Sequence, residues 1–260
     1  MNSLMNLYDT GENLYVEGKY EEAIKYFKEA LKIKEDRTSS LNYIGCCYLN
    51  LGKYSKALST FDEVLQIRLW ERALFNKGRV YLKLGNYTEA LGNFNRALMV
   101  NPNEGDVYYY LGVYYDKVGE FETAKTYYKK AIELHDKEAE YHLNLGIAYS
   151  RLNDYKKAIE EFDLSIQLDD SDSSAYFNKA CVLYKIKEYN EALKVFHHSN
   201  LLFPNDIEVM NMVANCYYYL RKYHKSLEWI NKVLSIDSSD EEALKHREII
   251  SKIFMREGGI

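Results

Sequence analysis

Between Glu71 and Glu104 the apolar and small residues fall in two short runs with helical spacing. Leu74, Gly78 and Tyr81 are separated by steps of four and three, and Ala90, Phe94 and Ala97 repeat those steps. Steps of this size place side chains on one face of a helix, so the stretch predicts two helices. Gly85 and Tyr87 mark the turn between them, and Pro102 closes the second. Gly78 and Ala90 lie where two antiparallel helices would cross, so their small side chains permit close approach. Ala97 would let the second helix approach the next unit.

The pattern recurs. Gly45, Tyr48, Gly52, Tyr54, Ala57 and Phe61 carry it upstream. Downstream it returns in Gly112, Tyr115, Gly119, Phe121, Ala124, Tyr128 and Ala131, then in Gly146, Tyr149, Tyr155, Ala158 and Phe162. The step is about 34 residues, the tetratricopeptide period. The chain therefore resembles the tetratricopeptide repeat (TPR) family over nearly its whole length. The resemblance implies an all-α solenoid, a right-handed superhelix of helix-turn-helix units forming a single domain over residues 1–260.

Seven units are expected, at about 4–37, 38–71, 71–104, 105–138, 139–172, 173–206 and 207–240. The junction QIRLWERA is one residue short of the period and lacks a proline, so an irregular connection is expected there, with Trp70 packing between neighbours. Asn153 stands where earlier units have a turn glycine, and asparagine tolerates the left-handed helix end. Asn103, Asn205 and the 171–174 and 238–240 clusters offer side-chain oxygens as helix caps. The pattern weakens in the last two units, where Ala180 and Ala214 replace the helix glycine. Residues 241–260 predict one more helix, with Ala243, Leu244, Ile249, Ile250, Ile253 and Phe254 on its apolar side. It would cap the exposed end of the array, or alternatively make a homodimer contact; a monomer is the primary expectation.

Composition narrows the function classes. A hydrophobic content of 47% suffices for a core. The net charge of −5 argues against a general nucleic-acid binder. No long apolar run predicts a membrane span, and the first residues do not read as a signal peptide. Cys46, Cys47, Cys181 and Cys216 form no CxxC pair and read as reduced thiols of a cytoplasmic protein. No phosphate-binding glycine loop, HExxH or GxSxG occurs. The six histidines read as surface or interface residues, and the carboxylates, interspersed with lysines, as solvated helix faces. No catalytic residue, cofactor site or metal site is expected.

In TPR arrays the first helices of successive units line a concave groove that holds the partner. Carried over by position, the resemblance implies an aromatic and apolar row, Phe75, Tyr109, Leu143 and Phe177. It implies an amide row, Asn76, Asn144 and Asn178, and a basic row, Lys83, Lys117, Arg151 and Lys185, with Arg79 beside them. Asparagine offers both donor and acceptor to an extended main chain. The lysine–asparagine clamp of chaperone-binding TPR proteins is missing, because Tyr8 and Glu12 occupy its first positions. The expected function is a non-enzymatic scaffold binding a peptide or protein partner that carries apolar and acidic side chains. The alternative is a regulatory or targeting subunit of an enzyme assembly whose catalysis lies on another chain.

Overall fold

A computed structural model describes residues 7–33 and 37–257, the last of these by its backbone alone. The first residues of the expected first unit and the last three of the expected C-terminal helix lie outside the described residues. Among the described residues there are fifteen helices and no strand. The chain divides into two compact units, Met1–Glu120 and Phe121–Ile260.

The N-terminal unit contains α1 (Leu7–Val16), α2 (Tyr20–Lys32), α3 (Arg37–Asn50), α4 (Tyr54–Ile67), α5 (Glu71–Lys83), α6 (Tyr87–Val100) and α7 (Gly105–Lys117). The C-terminal unit contains α8 (Phe121–Leu134), α9 (Ala139–Arg151), α10 (Tyr155–Leu168), α11 (Ser173–Lys185), α12 (Tyr189–Leu202), α13 (Ile207–Tyr219), α14 (Tyr223–Ile236) and α15 (Glu241–Glu257). Within each unit consecutive helices pack on one another. First helices also touch: α1 with α3, α3 with α5 and α5 with α7 in one unit, α9 with α11 in the other.

The repeated core contact is a ring on a glycine. Phe27, Phe61 and Phe94 in one unit and Phe162 in the other are fully buried. A Cβ added to Gly11, Gly45, Gly78 or Gly146 would lie within 3 Å of the ring from its own pair, 2.5 Å in the case of Gly78 and Phe94. The small residue is therefore the seat of the aromatic, and each ring removed from water stabilises by roughly 1.5–3 kcal/mol. In the drifting units Ala180 and Ala214 seat Phe196 and Ile230 instead.

The turns are equally regular. Lys19, Lys53, Asn86, Asp154 and Lys222 each donate their backbone N–H to a carbonyl five residues back, on Leu14, Tyr48, Tyr81, Tyr149 and Tyr217. That bond requires a left-handed residue just before it. Gly18, Gly52, Gly85 and Gly119 fill the position with φ of 67° to 84°. Asn153 fills it at 61°, as its side chain predicts, and Lys187 and Arg221 fill it at 67° and 58°.

Two cap expectations are corrected. Neither Asn103 nor Asn205 caps a helix. Glu104 and Asp206 hold those positions, and only Asp206 accepts bonds from the helix amides, those of Glu208 and Val209. The serine clusters do their capping through Asp172, which accepts from the Ser174 amide, and Asp240, which accepts from the Ala243 amide at 2.7 Å. The junction between α4 and α5 has three residues, with Trp70 half-buried against Leu41, Val64 and Ala73.

α15 is a cap. Its Ala243 and Ile250 are buried with Met210, Ala214, Ile230 and Val233 of α13 and α14. Asn211 and Asn215 on α13 donate to Asp240 and Glu242 at 3.2 and 2.9 Å, fixing where α15 begins.

Candidate functional site

The first helices of the N-terminal unit line a cavity of about 380 Å³. Tyr8 and Glu12 come from α1, Asn42 and Tyr43 from α3, Phe75 and Asn76 from α5. Trp70, Arg72, Glu104 and Asp106 complete its edge. Each lining helix turns a polar or aromatic stripe toward this side while its Leu, Val and Ala positions pack on the second helices.

A hydrogen-bonded chain runs along the floor. Asn76 donates to Asn42 Oδ1 at 3.3 Å, and its Nδ2 lies 3.3 Å from Cys46 Sγ. Arg79 donates from Nη1 to Asn76 Oδ1 at 3.1 Å. Its guanidinium lies over the Tyr110 ring at 5.1 Å and the Phe75 ring at 5.6 Å, and those rings meet edge to face. Burial works against the Arg79 charge, but Tyr110, Cys46 and Tyr15 around it more than offset this and hold its pKa above the usual arginine value. Among the described residues no carboxylate pairs with Arg79. A half-buried cation with no carboxylate beside it can still take a counter-ion from outside the chain.

The cysteines are inert. Burial pushes the Cys46 thiol up to about 11, and the pull of Arg79 and Arg72 does not reverse this. Cys47, Cys181 and Cys216 are pushed up to about 12, each chiefly by burial. None is a thiolate nucleophile at neutral pH. Tyr43 donates to Glu12 Oε1 at 2.6 Å, and burial together with this acceptor raises the phenol's pKa.

The expected groove residues divide by unit. In the N-terminal unit Phe75 and Asn76 line the cavity and Arg79 follows one turn along α5. Lys83 and Lys117 are exposed at the ends of α5 and α7. Tyr109 is buried, only 5% exposed, so the accessible aromatic of α7 beside Arg79 is its neighbour Tyr110. In the C-terminal unit Leu143 and Phe177 are half-buried, and Phe177 packs on Phe196 at 5.9 Å. Asn144 and Asn178 are half-buried and donate at 2.9 Å to carbonyls of their own helices, on Glu140 and Ser174. Arg151 lies over the Phe121 ring at 5.0 Å, and Lys185 is exposed.

Sequence reasoning missed the carboxylates at the cavity edge, Glu104 and Asp106. They sit at the start of α7, where Asp106 holds the position that Arg72 holds in α5. It also read every histidine as a surface or interface residue. His142 is instead buried, with Nδ1 2.8 Å from Glu161 Oε2. The Glu161 hydrogen bond raises its pKa above the ordinary value against the opposing effect of burial.

A chain of stacked helix pairs whose first helices line a polar and aromatic cavity is a helical-repeat interaction scaffold. Tetratricopeptide repeat models match residues 6–37, 39–69, 71–104, 114–173, 173–206 and 207–240, and the chain belongs to that family. Among solved structures it is similar to the C-terminal part of a TPR repeat-containing protein from Cytophaga hutchinsonii. The identity is 20%, over 92% of this chain and 98% of that one, with a TM-score of 0.64. It is also similar to PilF of Pseudomonas aeruginosa, at 16% identity over 81% and 96% of the two chains and a TM-score of 0.73. YrrB, described as a TPR protein with an unusual peptide-binding site, aligns at 21% identity over 68% and 91%, with a TM-score of 0.60. At these identities the likeness shows the fold. A search of curated proteins finds no match. Among the described residues no helix is long and apolar enough to cross a membrane.

Proposed function

We propose that the chain is a non-catalytic scaffold that holds an extended segment of a protein partner along the faces of its first helices. The observation that carries this reading is Arg79. It is charged, half-buried, oriented by Asn76 and flanked by Phe75 and Tyr110, and among the described residues it lacks a counter-ion. A carboxylate of the partner would supply that counter-ion, and apolar partner side chains would lie on Phe75 and Tyr110. Lys83 and Lys117 would extend the attraction toward an acidic segment. In the C-terminal unit Leu143 and Phe177 would receive apolar side chains, Asn144 and Asn178 would meet the main chain, and Arg151 and Lys185 would provide positive charge.

The net charge of −5 fits a protein partner better than nucleic acid. Four free cysteines fit a reducing compartment such as the cytoplasm. A monomer is favoured because the Ala243 and Ile250 side of α15 is already covered by α13 and α14.

The test is kinetic. Affinity capture from the source cells with mass spectrometry identifies the partner, and its binding is then followed at low and high salt. The double variants Lys83→Glu/Lys117→Glu and Arg151→Glu/Lys185→Glu should each slow association by about tenfold at low salt, with the difference shrinking at high salt. Association rates equal to the parent's at both salt levels would sink the basic-row assignment.

A further inference from the structure

The turn between α13 and α14 carries Arg221 and Lys222, and the first turn of α14 adds His224 and Lys225. Together with Tyr223 and with Phe254 of α15, they line a cavity of about 460 Å³. Among the described residues no carboxylate lines it. Among the described residues Arg221, Lys222 and Lys225 form no ion pair; the contact of Lys225 is the Tyr217 ring at 5.8 Å. In three other turns a cation is paired. Lys19 pairs with Glu17, Lys53 with Glu21, and Lys157 with Asp154.

Two features show that this charge is built into the turn. Arg221 takes the left-handed position with φ 58°, where the N-terminal unit uses glycine, so a long cation is kept at a backbone cost. One wall is fixed by His224 stacked on Phe254, with ring centroids 4.8 Å apart and planes at 26°. The positive end of α14 adds to the same potential, because its first turn has no acidic residue and Lys222 offers no capping side chain.

We propose that this cavity binds a phosphorylated side chain of a protein partner. Three permanent cations around one space are matched poorly by a single carboxylate. A phosphoryl group brings a charge of about −1.5 to −2 and three acceptor oxygens. Arginine's fork and the lysine ammonium groups both suit those oxygens. Tyr223 and Phe254 provide apolar wall for the stem of the phosphorylated residue. The site shares no residue with the groove of the preceding proposal and stands or falls separately from it.

The test is a ¹H–¹⁵N NMR titration of the full chain with N-acetyl-O-phosphoserine methylamide. The serine and glutamate counterparts and inorganic phosphate serve as comparison probes. The phosphoserine probe should give saturable shifts confined to the amides of 221–226 and their neighbours on α15. The glutamate probe should bind at least about tenfold more weakly, and the serine probe should give no response. The variant Arg221→Gly/Lys222→Asn/Lys225→Gln should weaken phosphoserine binding by about tenfold or more. Its Gly-Asn turn copies Gly85–Asn86, so the fold is retained. Equal binding by this variant, equal binding of the glutamate probe, or shifts spread over the other lysine-bearing turns would overturn the proposal. Inorganic phosphate binding as tightly as phosphoserine would overturn the peptide assignment. So would variant-sensitive binding to phosphoinositide vesicles without a phosphoserine response.

Discussion

Gly78 and Gly92 are the same residue type under opposite demands. Gly78 seats Phe94, and a Cβ there would lie 2.5 Å from a ring with no room to retreat. Gly92 is exposed in the middle of α6, with nothing within 4 Å of an added Cβ. Gly78→Ala should destabilise by about 1–3 kcal/mol through overpacking. Gly92→Ala should stabilise by about 0.5–1 kcal/mol, because alanine loses less conformational freedom in a helix. Thermal or urea unfolding of the two variants should move in opposite directions. A second residue-scale expectation concerns His142. Its folded pKa is raised, so its contribution to stability is fully present below the unfolded value of about 6.5 and is lost as pH rises through the folded value. The stability difference between the parent and His142→Gln should therefore narrow from acid toward alkaline pH; a constant difference would contradict the Glu161 pairing. The seats of the core rings were legible in the sequence because small and aromatic residues recur in phase. Adjacent Tyr109 and Tyr110 were not separable, since neighbouring helical residues face different ways and only the packed neighbours decide which is buried. The His142–Glu161 pair was hidden for a related reason: its partners lie on different helices, α9 and α10.

Helix starts and turns repeat the lesson at the scale of elements. The turn residues were readable because a left-handed helix end selects for glycine or asparagine, as at Gly85 and Asn153. Lys187 and Arg221 break that rule and could be placed only by counting repeats. Cap positions at Asn103 and Asn205 were displaced by one residue, because several oxygen-bearing side chains compete at each junction. α15 was legible as an apolar helix, and its role as a cap became clear from Ala243 and Ile250 against α13 and α14. Removing residues 241–260 should expose Met210, Ala214, Ile230 and Val233. Nearest-neighbour contacts hold repeat proteins together, so the truncated chain should lose solubility and fray from α14 inward. Hydrogen exchange should show faster exchange in α13 and α14 than in α9 and α10. Unchanged protection in α13 and α14 would show that α15 contributes little to the end of the array.

At the scale of the molecule, the candidate site is a face assembled from many short helices. Of its expected row positions in the N-terminal unit, Phe75 and Asn76 line the cavity and Arg79 follows one turn along α5, whereas Tyr109 is buried. The site's electrostatics could not be read by period, because the carboxylates of Glu12, Glu104 and Asp106 come from separate helices and junctions and gather only in the fold. The central claim is that the uncompensated charge of Arg79 awaits a carboxylate of the partner. The most direct measurement is the dissociation rate of the captured partner from Arg79→Gln, compared with the parent protein and with a charge reversal at Lys56 on the exposed side of α4. The account predicts that Arg79→Gln dissociates at least about tenfold faster, as expected when a charge-assisted hydrogen bond in a partly buried site is lost, and that Lys56→Glu matches the parent. Parental dissociation from Arg79→Gln together with loss of binding in Lys56→Glu would place the partner on the second helices and contradict the account.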